Sequence, residues 1–361
     1  MENSEIAHLR LYNQGLSETL FKDPVDAVTQ LGAVQAQDYA GAKWALGQRL
    51  VNWSDAEIDK EFNEGKLLRT HILRPTWHFV TPADIRWMLS ISAPRVHAVS
   101  AYYFRKASLD KAMVKRTNAV IAKALRGGNQ LMRTEISAVL EKAGISTNAE
   151  LRMSYIMMCA ELDGVICSGA RKGKQFTYAL LDERAPQVKV WKREEALAEL
   201  VKRYFKTRGP ATLQDFTWWS GLTMADAKNG MEMVKSEFES ENIIGQTYWF
   251  PEPKGLPDKK AITAYLLPNF DEYFIGFKDR SASGGVAGMA NLPANDPTLI
   301  ANVIVLNGQV VGGWKRILKK DSVMLELQPI IKLAKNEKEA VEQAAEKFGN
   351  FLELTPTIIW K

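Results

Sequence analysis

The chain has 361 residues, of which 46% are hydrophobic and 25% charged, and its formal net charge is +5. This length favours two or three domains, and the composition is that of a globular protein. No apolar run reaches the roughly 18 residues of a membrane span, and the N-terminus lacks the apolar centre of a signal peptide. We therefore expect a cytoplasmic protein.

Cysteine and histidine usage argues against metal chemistry. Cys159 and Cys167 are too few for a disulfide framework or a zinc quartet, and the histidines lack metal-ligand spacing. The chain also has no GxSxG motif, no Walker-type phosphate loop and no GxGxxG motif after a strand. The sequence thus predicts no metal and no cofactor, and it disfavours the common hydrolases and nucleotide enzymes.

The first third of the chain predicts three helices followed by a hairpin. Apolar spacing marks a helix over residues 4–16, Asp23 and Pro24 begin a second, and the third covers residues 54–65. The stretch LLRTHILRPTWHFVTP then resembles two short strands bounded by prolines. Helices followed by a hairpin in this order are typical of a winged helix.

The same order of elements recurs twice along the chain. The Asn-Gly turn and amphipathic helix that follow predict a C-terminal region whose hairpin and helix pack on the third unit. The expected fold class is α+β, with three tandem winged-helix units and a C-terminal α/β extension. The predicted boundaries are residues 1–105, 106–190, 191–255 and 256–361.

The segment GAVQAQDYAG sets Gln35 and Gln37 two residues apart, directly after the second predicted helix. On a helix these side chains would point about 200° apart, whereas on an extended segment they share a face. Because Gly32 weakens the helix, we expect an extended segment in which both amides point the same way.

The stretch RPTWHF predicts a strand with Arg74, Thr76 and His78 on one face, and Trp77 and Phe79 on the other. The residues alone leave two alternatives open. In the first, the aromatic side chains are buried and the polar three are solvated. In the second, Arg74 binds a phosphate and His78 lines the same cleft as the glutamines.

Basic residues cluster in three separate segments. The longest of these, residues 111–133, contains no acidic residue. Each cluster alone suits a solvated face, but three together favour a composite surface for a polyanion. The candidate phosphate contacts in the other two clusters are Arg171, Lys172, Lys174, Lys315 and Arg316.

Two further groups of residues are expected to be structural. One is Asp215, Trp218 and Trp219 in the second helix of the third unit. The other is an acidic and aromatic stretch whose precise role the sequence leaves open. That stretch contains Asp271, Glu272, Asp279 and Arg280.

Five segments resemble a bacterial family of tandem winged-helix proteins that contains the AlkZ-type and YcaQ-type DNA glycosylases, and the resemblance extends over most of the chain, from about residue 9. In order, they are GAVQAQDYAGAKWALGQRL, RTHILRPTWHFVTPAD, RGPATLQDFTWWSGL, LLPNFDEYFIGFKDR and NGQVVGGWKR. The family's glycosylases carry Gln-x-Gln or Gln-x-Asp with an aliphatic middle residue. Gln-Ala-Gln resembles the AlkZ-like branch, although Ala36 is small for that position.

The resemblance implies a monofunctional glycosylase that removes alkylated purines from damaged double-stranded DNA, including crosslinked ones, within a C-shaped, concave basic channel. Gln35 and Gln37 would position the attacking water, supported by Arg74, Thr76 and His78. Because no lysine is placed as a Schiff-base nucleophile, we expect no lyase activity. We also expect a monomer that associates with the nucleoid.

The alternative is a non-catalytic winged-helix DNA-binding protein, such as a transcriptional regulator or a damage sensor. Winged helices are mostly binders, and a fold does not fix a function. A regulator that reads base edges needs a polar recognition helix, whereas NAELRMSYIMMCAELDG is largely apolar. The sequence therefore favours the glycosylase.

Overall fold

The computed structural model describes residues 1–186, 189–252, 262–284 and 301–361. The predicted α+β class is confirmed. The first unit contains four helices and a small sheet. They are α1 (Asn3–Asn13), α2 (Pro24–Leu31), α3 (Tyr39–Gly47), α4 (Asp55–Glu64), β1 (Val34–Gln35), β2 (Leu68–His71) and β3 (Trp77–Val80).

The local signals for α2 and α4 act as predicted. The Asp23 side chain accepts from the Asp26 backbone N–H at the start of α2, and Ser54 and Glu57 form a capping box on α4. Gly32 ends α2 with a φ of 79°, a conformation that favours glycine. The chain is then free to continue as a strand.

The sequence predicts no helix where α3 forms. Its segment YAGAKWALG contains two glycines, which lower helix propensity. Tertiary packing explains the helix, because a Cβ atom at Gly47 would lie 2.5 Å from the Phe351 ring. Glycine there lets a distant helix pack directly against α3.

The second unit begins after a helix of 22 residues, α5 (Ile85–Lys106), which the sequence likewise does not predict. The predicted three helices and hairpin follow, and a short strand completes a sheet in the order β4-β6-β5. The elements are α6 (Lys111–Leu125), β4 (Leu131–Met132), α7 (Arg133–Lys142), α8 (Arg152–Leu162), β5 (Ile166–Ser168), β6 (Thr177–Leu180) and α9 (Leu181–Arg184).

The third unit has the same order of elements, three helices and then a hairpin, as predicted. Ala211 forms an isolated bridge to Trp249 beside this hairpin. The elements are α10 (Arg193–Arg208), α11 (Leu213–Ser220), α12 (Met224–Val234), a 3-10 turn (Lys235–Glu237), β7 (Glu239–Ile243) and β8 (Gln246–Phe250).

The C-terminal region forms a five-stranded sheet in the order β13-β12-β11-β10-β9. The predicted Asn-Gly turn joins β10 to β11, and a long helix connects β12 to its parallel partner β13. The elements are β9 (Ala264–Leu267), α13 (Glu272–Ile275), a 3-10 turn (Ser281–Ser283), β10 (Val303–Leu306), β11 (Gln309–Leu318), β12 (Ser322–Pro329), α14 (Lys335–Leu352) and β13 (Thr355–Trp360). The predicted boundary at residue 256 lies outside the described residues.

The C-terminal helix and sheet pack on the first unit, so their predicted position on the third unit is wrong. The Trp44 ring of α3 lies 4.9 Å from Phe348 and 5.2 Å from Phe351, and its indole N–H donates to the Leu266 carbonyl. The apolar face of α14 therefore finds its complement on α3. Sequence periodicity reveals such a face but does not identify the surface that covers it.

The two largest buried apolar clusters cross the unit boundaries. One joins residues of β2, β3 and α5 to the helices of the second and third units. The other joins the first unit to the C-terminal sheet and α14. The units therefore share their cores. No helix in the described ranges is long and apolar enough to cross a bilayer.

A buried ion pair also joins the first unit to the C-terminal region. Arg49, just after α3, donates to both carboxylate oxygens of Asp271 at 2.8 Å, and both side chains are buried. Arg49 also donates to the Gln14 and Ala45 carbonyls. Its five N–H groups are thus largely satisfied within the protein.

Replacing Asp271 by asparagine should destabilise the protein strongly, because the Arg49 charge would remain buried without its counterion. We expect the free energy of unfolding to fall by about 3–5 kcal/mol, measured by urea denaturation. Asp182→Asn is the matched control, since Asp182 pairs with Arg86 but its side chain is 85% exposed. Equal losses in the two variants would contradict this role.

Candidate active site

The two glutamines lie on one short segment and are held by the same hairpin, β2–β3. Gln35 is 6% exposed, and its side-chain oxygen accepts from Arg74 Nη2 at 2.6 Å. Gln37 is exposed, and its side-chain oxygen accepts from the Trp77 backbone N–H at 3.3 Å. The segment is extended at Val34 and Gln35, as predicted, because β1 pairs with β3. The two side-chain amides therefore differ in burial, with Gln35 inside the protein and Gln37 at its surface.

The backbone of the glutamine segment is fixed at three successive polar groups. The Gln35 N–H donates to Glu272 Oε1 at 2.9 Å, and the Ala36 N–H donates to the Trp77 carbonyl at 2.7 Å. The Ala36 carbonyl accepts from Arg69 Nε at 2.9 Å. Because these partners come from separate parts of the chain, the segment has little freedom to shift.

Glu272 links the segment to the third unit. Its Oε2 accepts from Arg208 Nη2 at 2.6 Å and from the Trp219 indole N–H at 2.9 Å, and all three side chains are buried. Arg208 also donates to the Leu31 carbonyl at the end of α2. A carboxylate with this many charged and neutral donors is a rigid acceptor for the Gln35 N–H.

The sequence does not identify Glu272 and Trp219 as residues of the site. The available signal was the acid inside the aromatic run NFDEYF, since an acid in a buried segment requires partners. Asp215 is buried, as expected of a packing group, whereas Trp218 is 46% exposed. Asp215 accepts from the Lys278 and Asp279 N–H groups, and Trp218 donates to the Ile275 carbonyl.

His78 lies directly opposite Gln35 in the β1–β3 pair and is fully buried. Its Nδ1 lies 3.0 Å from the Thr76 carbonyl, so Nδ1 carries the hydrogen and Nε2 presents a lone pair. Burial and the nearby Arg74 cation lower the pKa of His78 well below its usual range. The imidazole is therefore a neutral acceptor. The alternative in which His78 is solvated is wrong.

Three buried polar atoms beside Gln35 have no hydrogen-bond partner within the described ranges. They are Arg74 Nε, Thr76 Oγ1 and His78 Nε2. The predicted common strand face is wrong for two of these residues, since β3 begins at Trp77 and the turn before it holds Arg74 and Thr76. Arg74 nevertheless donates to Gln35 and His78 lies opposite it, while Thr76 adjoins His78, whose Nδ1 faces the Thr76 carbonyl. Buried polar atoms normally have partners, so a cluster of exceptions is typical of a site.

The model of the AlkZ-like DNA glycosylase family matches residues 28–351. The chain belongs to this family. It is 25% identical over 330 residues to an interstrand DNA cross-link repair glycosylase of Streptomyces sahachiroi, covering 85% of each chain. The solved structure of the Streptomyces sahachiroi DNA glycosylase AlkZ matches with a TM-score of 0.77 at 20% identity, covering 99% of each chain. The protein is thus a DNA repair glycosylase with the AlkZ fold.

In this AlkZ-like glycosylase, two of the predicted basic residues lie beside the helix that follows the motif. The Arg316 guanidinium lies 3.5 Å from Asp38, which caps α3 directly after Gln37. The Arg171 guanidinium lies 4.9 Å from the centre of the Tyr39 ring and 3.6 Å from Asp59. Both side chains extend from other units toward the start of α3.

The other three basic candidates are not brought to the glutamines by any contact. Lys172 and Lys174 are exposed at the tip of the β5–β6 hairpin, where Lys172 lies 3.6 Å from Glu135. Lys315 lies opposite Glu326 on the neighbouring strand and pairs with it at 3.0 Å. Within the ranges that the structure covers, no group of three or more histidines, cysteines or acids could hold a metal ion.

The buried histidine of this AlkZ-like protein should make folding sensitive to acid. Below about pH 6.5 the unfolded His78 binds a proton, whereas the folded one does not, because its pKa is lowered. The unfolded state then binds more protons, so the free energy of unfolding falls as pH falls. The slope from this residue is at most about 1.4 kcal/mol per pH unit.

Urea denaturation between pH 7.5 and 5 would measure this slope in the wild type and in His78→Asn. We expect the variant to lose less stability over this interval than the wild type does. The control is His97→Asn, since His97 is only partly buried and pairs with Asp163 at 2.9 Å. Parallel curves for wild type and His78→Asn would show that His78 is protonated equally in both states.

Proposed function

We propose that the protein hydrolyses the N-glycosidic bond of N7- or N3-alkylated purines in double-stranded DNA, with Gln35 and Gln37 positioning the attacking water. The observation that carries this proposal is the pair of anchored amides beside three buried polar atoms without protein partners. The family assignment supplies the class of reaction.

The substrate decides what the protein has to provide. A purine alkylated at N7 or N3 carries a positive charge, and it leaves as a neutral base with the electron pair of the broken C1′–N bond. The leaving group therefore needs no strong general acid. The protein must instead orient a water toward C1′ and favour the oxocarbenium-like transition state.

Gln35 is suited to hold this water through directional hydrogen bonds. Because the Arg74 guanidinium donates to its carbonyl, the amide orientation is fixed, and the carbonyl keeps a second lone pair for a water proton. His78 Nε2 lies on the opposite strand and offers a further acceptor. Its lowered pKa makes it a poor proton store, so it orients the water and the released proton passes to solvent.

Gln37 is suited to contact the DNA side of the site, because it is exposed whereas Gln35 is not. An exposed group can reach a bulky lesion that never enters a closed pocket. We propose on this ground that the protein also unhooks interstrand crosslinks, since the Streptomyces sahachiroi relative is named an interstrand DNA cross-link repair glycosylase. Arg74 has no carboxylate partner within the described ranges, so it can also bind a phosphate next to the lesion.

The reaction is proposed to stop at base release, as in a monofunctional glycosylase. Among the described residues, the cations that hydrogen-bond to Gln35 and to the Ala36 carbonyl are the guanidinium groups of Arg74 and Arg69, which form no Schiff base. Lys43 on the following helix is buried in ion pairs with Asp55 and Asp59. We further propose that three winged-helix units form a basic channel, with Arg171, Lys172, Lys174, Lys315 and Arg316 as phosphate contacts, and that a monomer acts on nucleoid DNA.

A base-release assay tests the two glutamines directly. Purified protein is incubated with a duplex carrying one N7-methylguanine and, in parallel, with an N7–N7 crosslinked duplex. We expect Gln35→Ala and Gln37→Ala to slow single-turnover release by about a hundredfold or more, because each removes a preorganised dipole. Gln343→Ala, an exposed glutamine on α14, is the control and should match the wild type.

The outcomes separate the candidate functions. Release by wild type with unchanged release by both glutamine variants would keep the activity but contradict this site. If the wild type releases no base from either substrate but still binds DNA in a salt-sensitive way, the non-catalytic DNA-binding protein is favoured.

A second comparison isolates the hydrogen bond from Gln35 to Glu272. Glu272→Ala and Glu272→Gln both remove the charge that faces Arg208, but only glutamine keeps an acceptor for the Gln35 N–H. We expect glutamine to retain at least about tenfold more single-turnover release with similar DNA affinity, since one such bond is worth about 1.5 kcal/mol. Alanine should also lower the melting temperature further, because Arg208 and Trp219 lose their acceptor with it. Equal rates would limit Glu272 to a role in stability.

A further inference from the structure

The C-terminal half of α5 presents a face that the proposed reaction does not use. Arg95, Val99, Tyr102, Tyr103 and Lys106 recur at helical spacing and are exposed. Tyr102 is 64% exposed and Tyr103 is 52% exposed, which is unusual for aromatic side chains. With Arg105, these residues are called the α5 face here. Exposed aromatic and basic residues together are typical of an interaction surface.

The charge of this part of the chain is strongly one-sided. Residues 85–133 contain ten lysines and arginines but one acid, Asp110. The Asp110 carboxylate accepts from the Met113 backbone N–H and so caps α6. Glu150 is an exposed acid next to Tyr103 and Lys106, and Asp110 and Asp163 line the same groove as Arg105. The local excess of positive charge selects a polyanion over a neutral or basic protein surface.

The basic residues of the face are not engaged by acids of the protein. Across the described ranges, no ion pair involves Arg95, Arg105 or Lys106. This contrasts with Lys60 and Lys335, which lie 3.9 Å from Glu64 and Glu339 on acidic helices. Cations without internal partners can neutralise DNA phosphates, and the counterions that those phosphates then release favour binding.

The face is also held rigidly. The Tyr103 ring stacks on Tyr155 of α8, with centroids 6.2 Å apart and an angle of 25°. Arg152 at the start of α8 donates to the Ala107 carbonyl directly after α5. The end of α5 is therefore fixed against the third helix of the second unit, and little ordering would be needed on binding.

We propose that the α5 face binds the phosphate backbone of duplex DNA away from the glutamine site, with Arg105 and Lys106 as charge contacts and the tyrosine hydroxyls as donors. The helix has 22 residues, so it spans about 33 Å, or roughly ten base pairs of duplex. Its first turn follows β3 closely, and its last turn reaches a DNA arm beyond the lesion. This contact needs no turnover and goes beyond the proposed reaction.

The salt dependence of binding to an undamaged duplex of about 30 base pairs tests this contact. We expect Arg105→Gln/Lys106→Gln to reduce the slope of log K against log salt by about 2, since each phosphate contact contributes about 0.9. Lys60→Gln/Lys335→Gln removes the same charge from acidic helices and should leave the slope unchanged. A slope that is equal in the first variant and the wild type would overturn the proposal.

A crosslinking experiment locates the contact. The photoreactive residue p-benzoylphenylalanine replaces Tyr102 or, as a control, Lys335, and each protein is irradiated with the same duplex. We expect DNA adducts at position 102 and not at position 335. Adducts absent from position 102 would overturn the proposal and would favour a protein partner for the tyrosines. Because the DNA is undamaged, both results are independent of whether the protein releases alkylated bases.

Discussion

The buried carboxylate of Glu272 is the constraint on which the arrangement around the glutamines depends. One of its oxygens holds the Gln35 N–H, and the other accepts from Arg208 and Trp219. The C-terminal region thereby ties the glutamine segment of the first unit to two helices of the third. A charged acceptor that is buried and fully hydrogen-bonded fixes geometry better than a solvated one, because every alternative leaves a charge unpaired.

Guanidinium groups complete this arrangement, and they differ in how their charge is balanced. Arg208 pairs with Glu272, and Arg69 is attracted by the nearby Glu161. Arg74 donates to a neutral glutamine instead and is buried enough to lower its pKa. The nearby Arg208 and Arg280 cations also lower the pKa of Arg74, whereas Glu272 raises it. The field at the motif favours an anion at this turn, in keeping with the proposed contact between Arg74 and a phosphate.

Local signals in the sequence were sufficient for the elements that carry them. Asp23 and Ser54 start their helices, Gly32 ends one, and the Asn-Gly pair at Asn307 turns a hairpin. Elements that depend on distant packing were missed, as α3 shows, since its glycines are explained only by Phe351. The same limit applies to the site. Gln35, Gln37 and Arg74 were accessible from spacing and resemblance, whereas Glu272 reaches Gln35 across 237 positions of chain.

The shared apolar clusters bear on how such a protein can change over evolutionary time. One cluster runs through the first three units, and the other joins the first unit to the C-terminal sheet. Exchange of a single unit by recombination would replace the apolar residues that this unit contributes to each shared cluster. The remaining residues of the cluster would then pack against surfaces of the wrong shape. Tandem repeats are usually regarded as modules that can be shuffled or added one at a time. Here exchange of one unit would disturb the cores of its neighbours, so substitution within the array is the less disruptive route to change.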